Sequence, residues 1–107
     1  MLEQKLRGLL GLATRAGQML IGSGRALEHV RQEKSRLVFM DEAASDNTKK
    51  RFTDACQSHQ ADCRVLSKGL LGQAIGKPGT MVVAVLPGGM ADKIIEAINN
   101  LDNKILE

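Results

Sequence analysis

Three observations on this 107-residue sequence predict an α/β fold, a three-layer α/β/α sandwich around a small mixed sheet of about four strands. Short apolar runs alternate with stretches of helical periodicity along the whole chain. Two of the runs, Leu37–Met40 and Met81–Leu86, are apolar at consecutive positions, as expected of strands covered on both faces. Two others end in a serine-bearing corner with a basic side chain, Gly22-Ser23-Gly24-Arg25 and Ser67-Lys68, where a strand hands over to a helix.

In order, Leu2, Leu6, Leu9, Leu10 and Ala13 fall on one helix face, and that first helix ends near Arg15-Ala16-Gly17. Met19–Ile21 forms a brief strand, followed by a second helix with Ser23 as N-cap and Ala26, Leu27 and Val30 inside. The strand at 37–40 runs into Asp41 and Glu42. Ser45 caps a third helix that buries Phe52, Ala55, Cys56 and His59 and exposes Lys49, Lys50 and Arg51. Val65 and Leu66 close a buried strand over 64–66, and Ser67 caps a short helix through Leu70, Leu71, Ala74 and Ile75 that Gly76 and Pro78 stop. After the strand at 81–86, Pro87-Gly88-Gly89 breaks the chain, and Ile94, Ile95, Ile98, Leu101 and Ile105 mark a closing helix. The length suits one domain over 1–107, with no repeat or linker.

Composition narrows the function. Apolar residues make up 43% and charged residues 25%, a globular balance. Phe39 and Phe52 are the only aromatics, so readers that stack single-stranded bases are excluded. No apolar run approaches the roughly 20 residues of a membrane span, and no signal-peptide core opens the chain, so a cytoplasmic protein is expected. Cys56 and Cys63 suggest free thiols, and His29 and His59 are too scattered for a metal site, so neither metal nor cofactor is expected. The net charge of +3 is concentrated in residues 1–36, which hold seven Lys or Arg against three acids. A basic excess of this kind suits phosphate backbones and equally a solvated face.

No catalytic residue is expected. The glycines fit neither a phosphate loop nor a dinucleotide fingerprint. Asp41 and Glu42 lack the companion residues of a phosphoryl-accepting site, and Ser45, Ser67, His29 and His59 form no nucleophile–base pattern. Binding is the better class. Loops at the carboxyl ends of strands converge on one edge of an α/β sheet, which would set Gly22–Arg25, Asp41–Ala44 and Leu66–Lys68 side by side. Such an edge offers helix N-termini and the cations Arg25 and Lys68 to a folded RNA recognised by shape and backbone.

The segments LLGLATRAGQMLIGSGRALEHV, RLVFMDEAASDNTKKR, VLSKGLLGQAIG and MVVAVL, in this order and spacing, resemble the kink-turn-binding ribosomal protein superfamily of archaeal seven-Ae and eukaryotic thirty-e type, most of all its short bacterial YlxQ-like branch. The resemblance spans nearly the whole chain and implies the same sandwich fold. It implies an RNA-binding protein, ribosome-associated, whose partner is structured RNA such as ribosomal RNA. Family members grip sharply bent RNA with a Gly-x-Asn-Glu segment opening the second helix and an apolar-Ser segment in a later loop. Gly22 matches the first glycine, and Val65, Leu66 and Ser67 match the later loop. Gly24 and Arg25 stand where the family has Asn and Glu, and Glu28 stands at its basic position one turn on. The implied RNA-binding set is Gly22, Ser23, Gly24, Arg25, Glu28, Val65, Leu66, Ser67 and Lys68, with Arg15 and Gln18 as flanking contacts. The alternative is a protein-interaction or regulatory domain that keeps the fold without kink-turn binding.

Overall fold

Residues Leu2–Arg15 wind into helix α1 because Leu6, Leu10 and Ala13 recur at i, i+4 and i+7 and are all buried. The computed structural model describes the backbone of residues 2–106 and the side chains of 4–99, so the expected inward faces of Leu2, Leu101 and Ile105 lie outside the described side chains. From α1 the chain continues through β1 (Met19–Ile21), α2 (Ser23–Arg31), β2 (Leu37–Asp41), α3 (Asp46–Ser58), β3 (Asp62–Leu66), α4 (Leu70–Ile75), β4 (Val82–Val85) and α5 (Gly89–Leu106).

The sheet order is β1-β4-β2-β3. Strand β2 pairs parallel with β3, and β4 pairs antiparallel with both β1 and β2. Thus β1, β2 and β3 share one direction and β4 opposes them. The consecutive apolar residues of β2 feed two cores, since side chains alternate across a strand. Leu37 and Phe39 pack with Leu6, Leu10, Leu71 and Ile94 from α1, α4 and α5. Val38 and Met40 pack on the opposite face with Leu27, Val30, Phe52 and Cys56 from α2 and α3. The expected three-layer α/β/α sandwich with a four-stranded mixed sheet is what the chain forms.

Several local expectations need correction. Ser23 is not the N-cap of α2 but its first residue; the cap is Gly22 at φ 112°, whose carbonyl accepts from Ala26 N at 3.0 Å. That positive φ, open to glycine, turns the chain out of β1 without a side-chain cap. Ser67 likewise does not cap α4. Gly69 does, in the left-handed region at φ 83°, and the Ser67 carbonyl accepts from Leu70 N at 3.0 Å. Strand β3 starts at Asp62 rather than Arg64 and is an edge strand, which leaves Val65 51% exposed rather than buried. Strand β4 is shorter than expected, with Met81 and Leu86 half-buried outside it. The Ser45 cap is as expected, its hydroxyl accepting from Thr48 N at 3.1 Å, and Gly76 closes α4 in the left-handed region.

Candidate nucleic-acid interface

Because β1, β2 and β3 point the same way, their carboxyl ends meet on one edge of the sheet, together with the beginning of β4. Hydrogen bonds cross this edge from side to side. Gly22 N donates to Val82 O at 3.1 Å, Asp41 N to Met81 O at 2.8 Å, and Glu42 N to Leu66 O at 2.9 Å. The loops after β1, β2 and β3 are therefore lashed to one another through the start of β4.

Asp41 is the centre of this edge. It ends the apolar run of β2, is 1% exposed, and accepts from Ala43 N at 2.7 Å and from Gly69 N at 2.8 Å. One carboxylate thus holds its own loop and the cap of α4, which satisfies a charge that would otherwise be costly to bury. Lys49 Nζ donates to Glu42 O at 2.6 Å, adding α3 to the same corner. The Asp41 corner was expected at this edge, but as a loop; its buried anchoring role and Gly69 were not, and the available signal was a carboxylate directly following four apolar strand residues, a position inside the strand rather than in a solvated loop.

Around this frame Ser23, Gly24, Arg25 and Glu28 are exposed on one side, and Ser67 and Lys68 on the other. The Arg25 carbonyl lies 3.2 Å from His29 Nδ1, and Glu28 accepts from Gln32 Nε2 at 3.2 Å. Val65 is exposed, whereas Leu66 points into the core and presents only backbone to the edge. The two groups are three strand spacings apart, about 14 Å. Gln18 falls elsewhere: its carbonyl accepts from Leu86 N at 2.8 Å, at the opposite edge of the sheet. Arg15 ends α1 and lines a groove with Gln73 of α4, also away from this edge.

A pair of thiols joins β3 to α3. Cys56 and Cys63 are free thiols that share a hydrogen bond, which holds the Cys63 thiol below its usual pKa and, with burial, pushes Cys56 far up. Among the described residues no three His, Cys, Asp or Glu side chains gather as metal ligands, and no helix is long and apolar enough to cross a membrane.

The chain is 38% identical over 92 residues to the RNA-binding protein YlxQ of Bacillus subtilis (strain 168), covering 85% of this chain and 92% of that one. It is 36% identical over 97 residues to the RNA-binding protein YlxQ of Enterococcus faecium, covering 90% and 93%. A solved structure of a Bacillus halodurans C protein of unknown function superposes with a TM-score of 0.82 at 35% identity, over 89% of this chain and 97% of that one. The 15.5kD RNA binding protein of Giardia lamblia shares the fold at a TM-score of 0.77 and 20% identity, over 95% and 88%. Residues 4–95 match the ribosomal protein L7Ae/L30e/S12e/Gadd45 family, and the chain belongs to that family.

Proposed function

We propose that this chain is a non-catalytic, cytoplasmic RNA-binding domain, ribosome-associated, that recognises structured, kink-turn-like RNA by shape and phosphate contacts. The observation that carries the reading is the lashed edge: two exposed corners, the start of α2 at Gly22–Arg25 and the loop Ser67–Gly69, fixed about three strands apart through Asp41 and the start of β4. A rigid pair of loops suits a rigid bent target, because little ordering entropy is lost on binding. The names of the two YlxQ relatives agree with an RNA partner. Arg25 and Lys68 supply charge to phosphates, and the bare backbone at Gly22, Gly24 and Gly69 permits close approach.

Gly24 and Arg25 replace the Asn and Glu that other family members present, and this favours a second reading, a protein-interaction domain that keeps the fold. The two separate in one titration of the protein against a kink-turn RNA, an unbent duplex of equal length and bulk ribosomal RNA, at two salt concentrations. Preference for the bent RNA at both salts supports shape recognition. Equal and steeply salt-sensitive binding to all three refutes it in favour of general phosphate attraction, and no binding moves the assignment to protein interaction. Arg25→Ala and Lys68→Ala should each weaken binding to the bent RNA while leaving the melting temperature unchanged; intact affinity in both would place the site elsewhere.

A further inference from the structure

Helix α1 contains two glycines, and the fold uses only one of them. At Gly11 a Cβ would lie 3.1 Å from the Ala74 carbonyl, so this glycine lets α1 and α4 approach closely. At Gly8, in the middle of the same helix and exposed, a Cβ would meet nothing within 4 Å. Glycine there weakens the helix relative to alanine, and among the described residues no close packing against Gly8 compensates. A bare helix backbone that faces outward is a feature suited to a close-approaching ligand.

The surroundings of Gly8 define that ligand. Gly8 and Gly11 lie in an open groove of about 420 Å³ between α1 and α4, rimmed by Arg7 and Arg15, with Gln4 and Gln73 as neutral donors. Arg7 Nη1 donates to Gln73 Oε1 at 3.4 Å, and Arg15 Nη1 lies 3.8 Å from the point where a Gly11 Cβ would sit. No acidic side chain lines the groove among the described residues. Eight residues separate the two arginines, about 12 Å along α1. Arg15 lies at the end of the groove away from the sheet edge, whereas Arg7 and Gln73 mark the side that approaches it. Gln73 N donates to the Gly69 carbonyl at 3.1 Å, so Gln73 sits one helical turn, about 6 Å, beyond the cap of α4.

We propose that this groove is a second contact for the same RNA, holding a stretch of phosphodiester backbone over Gly8 and Gly11 between Arg7 and Arg15. The proposal rests on the RNA-binding reading above and extends it from the loop edge onto α1. Two cations at a fixed separation, neutral amide donors and a floor without side chains match a phosphate backbone, which needs charge and close approach but no base-specific group.

The test measures affinity for a folded RNA, extended by a flanking strand, between 0.05 and 0.2 M salt, with melting temperature as control. Four variants are compared with wild type: Arg7→Gln/Arg15→Gln, Gly8→Ala, Arg25→Ala/Lys68→Ala, and Lys34→Gln/Arg36→Gln as an equal charge change outside both sites. Loss of two phosphate contacts should lower the slope of log K against log salt by about 1.4–1.8 and the affinity at 0.1 M roughly 25- to 60-fold. Gly8→Ala should raise the melting temperature and still weaken binding several-fold, which a structural role would not produce. An unchanged slope for the arginine pair, an equal fall for Lys34→Gln/Arg36→Gln, or intact affinity in Gly8→Ala overturns the groove. If wild type binds and only Arg25→Ala/Lys68→Ala weakens it, the groove alone is wrong; if wild type binds no RNA, the edge assignment falls with it.

Discussion

Removing the Asp41 carboxylate tests whether the sheet edge is a built frame. The side chain is buried and holds two backbone donors, Ala43 N at 2.7 Å and Gly69 N at 2.8 Å, across 28 residues in the second case. A hydrogen bond to a charged group contributes about 1.5–3 kcal/mol net, so two give about 3–6 kcal/mol. Two effects lower the cost of Asp41→Ala. Ala43 and Gly69 are themselves exposed, so water can reach their N–H groups, and the desolvation cost of the carboxylate disappears with it. An expected loss of about 2–4 kcal/mol remains, a large share of the 5–15 kcal/mol typical of a domain. Asp41→Asn keeps one acceptor but turns an amide N–H toward the second donor, and should lose about 1–2 kcal/mol. With an m-value near 1.5 kcal/mol/M, the urea midpoint should fall by about 1.3–2.7 M for alanine and about 0.7–1.3 M for asparagine. RNA affinity should fall in both variants under conditions where they remain folded, because the Gly69 loop loses its anchor. A midpoint shift below about 0.3 M for alanine, at unchanged m, would refute the claim that this carboxylate holds the edge together.

Two further predictions concern glycine and cysteine. Gly72→Ala would bring a Cβ to 3.0 Å from the Lys77 carbonyl and 3.1 Å from Pro78 Cα, both backbone, and should lower stability by about 1–3 kcal/mol in urea unfolding. Gly24→Ala meets nothing within 4 Å and should be neutral or gain about 0.4–1 kcal/mol; equal losses at both positions would mean that close packing is not what Gly72 serves. Cys63 is half-buried and Cys56 buried, and their shared hydrogen bond lowers the Cys63 pKa while raising that of Cys56. The Cys63 thiolate is therefore present at lower pH than in an ordinary thiol, and iodoacetamide should label Cys63 first, at a pH where Cys56 stays unmodified. Mass mapping that finds Cys56 alkylated first would contradict this.

The layers of the fold were legible because each depends on a local pattern. Leu37–Met40 is apolar at every position since β2 faces two cores, and Phe52, Ala55 and Cys56 repeat at helical spacing since α3 faces one. The mixed sheet was expected from the alternation of strands and helices, and the common direction of β1, β2 and β3 brings the Gly22 and Ser67 corners to one edge, whereas the reversal of β4 after an intervening helix left no mark in that pattern. What failed depends on partners distant in sequence. Ser67 has the right residue type and neighbours for a cap, yet Asp41 fixes Gly69 in that role from 28 positions away. The exposure of Val65 follows from β3 lying at the sheet edge, and strand order leaves no mark on a five-residue stretch. The position of Gln18 was within reach. A residue immediately before β1 must lie at the amino end of that strand, opposite the loops that follow β1 and β3.

The reversed strand β4 decides how ready the edge is for a partner. Had the loops after β1 and β3 been neighbours, each could shift with the other; instead the start of β4 and the end of β2 stand between them and bond to both sides. Gly22 and Gly69 are exposed residues with positive φ, the kind of position that usually frays. Yet Gly22 N is bonded to Val82 O, and Gly69 N to a buried carboxylate. Both amides should therefore be protected from hydrogen exchange in the free protein, while those of Gly8 and of exposed Gly88 supply contrasting helical and loop references. Fixing a residue costs about 1–2 kcal/mol of backbone entropy, so a frame already ordered before binding leaves that amount, over each loop residue, to appear as affinity. If Gly22 and Gly69 exchange at unprotected rates and slow only when RNA is added, the edge forms on binding, and shape recognition by a preformed frame is the wrong mechanism.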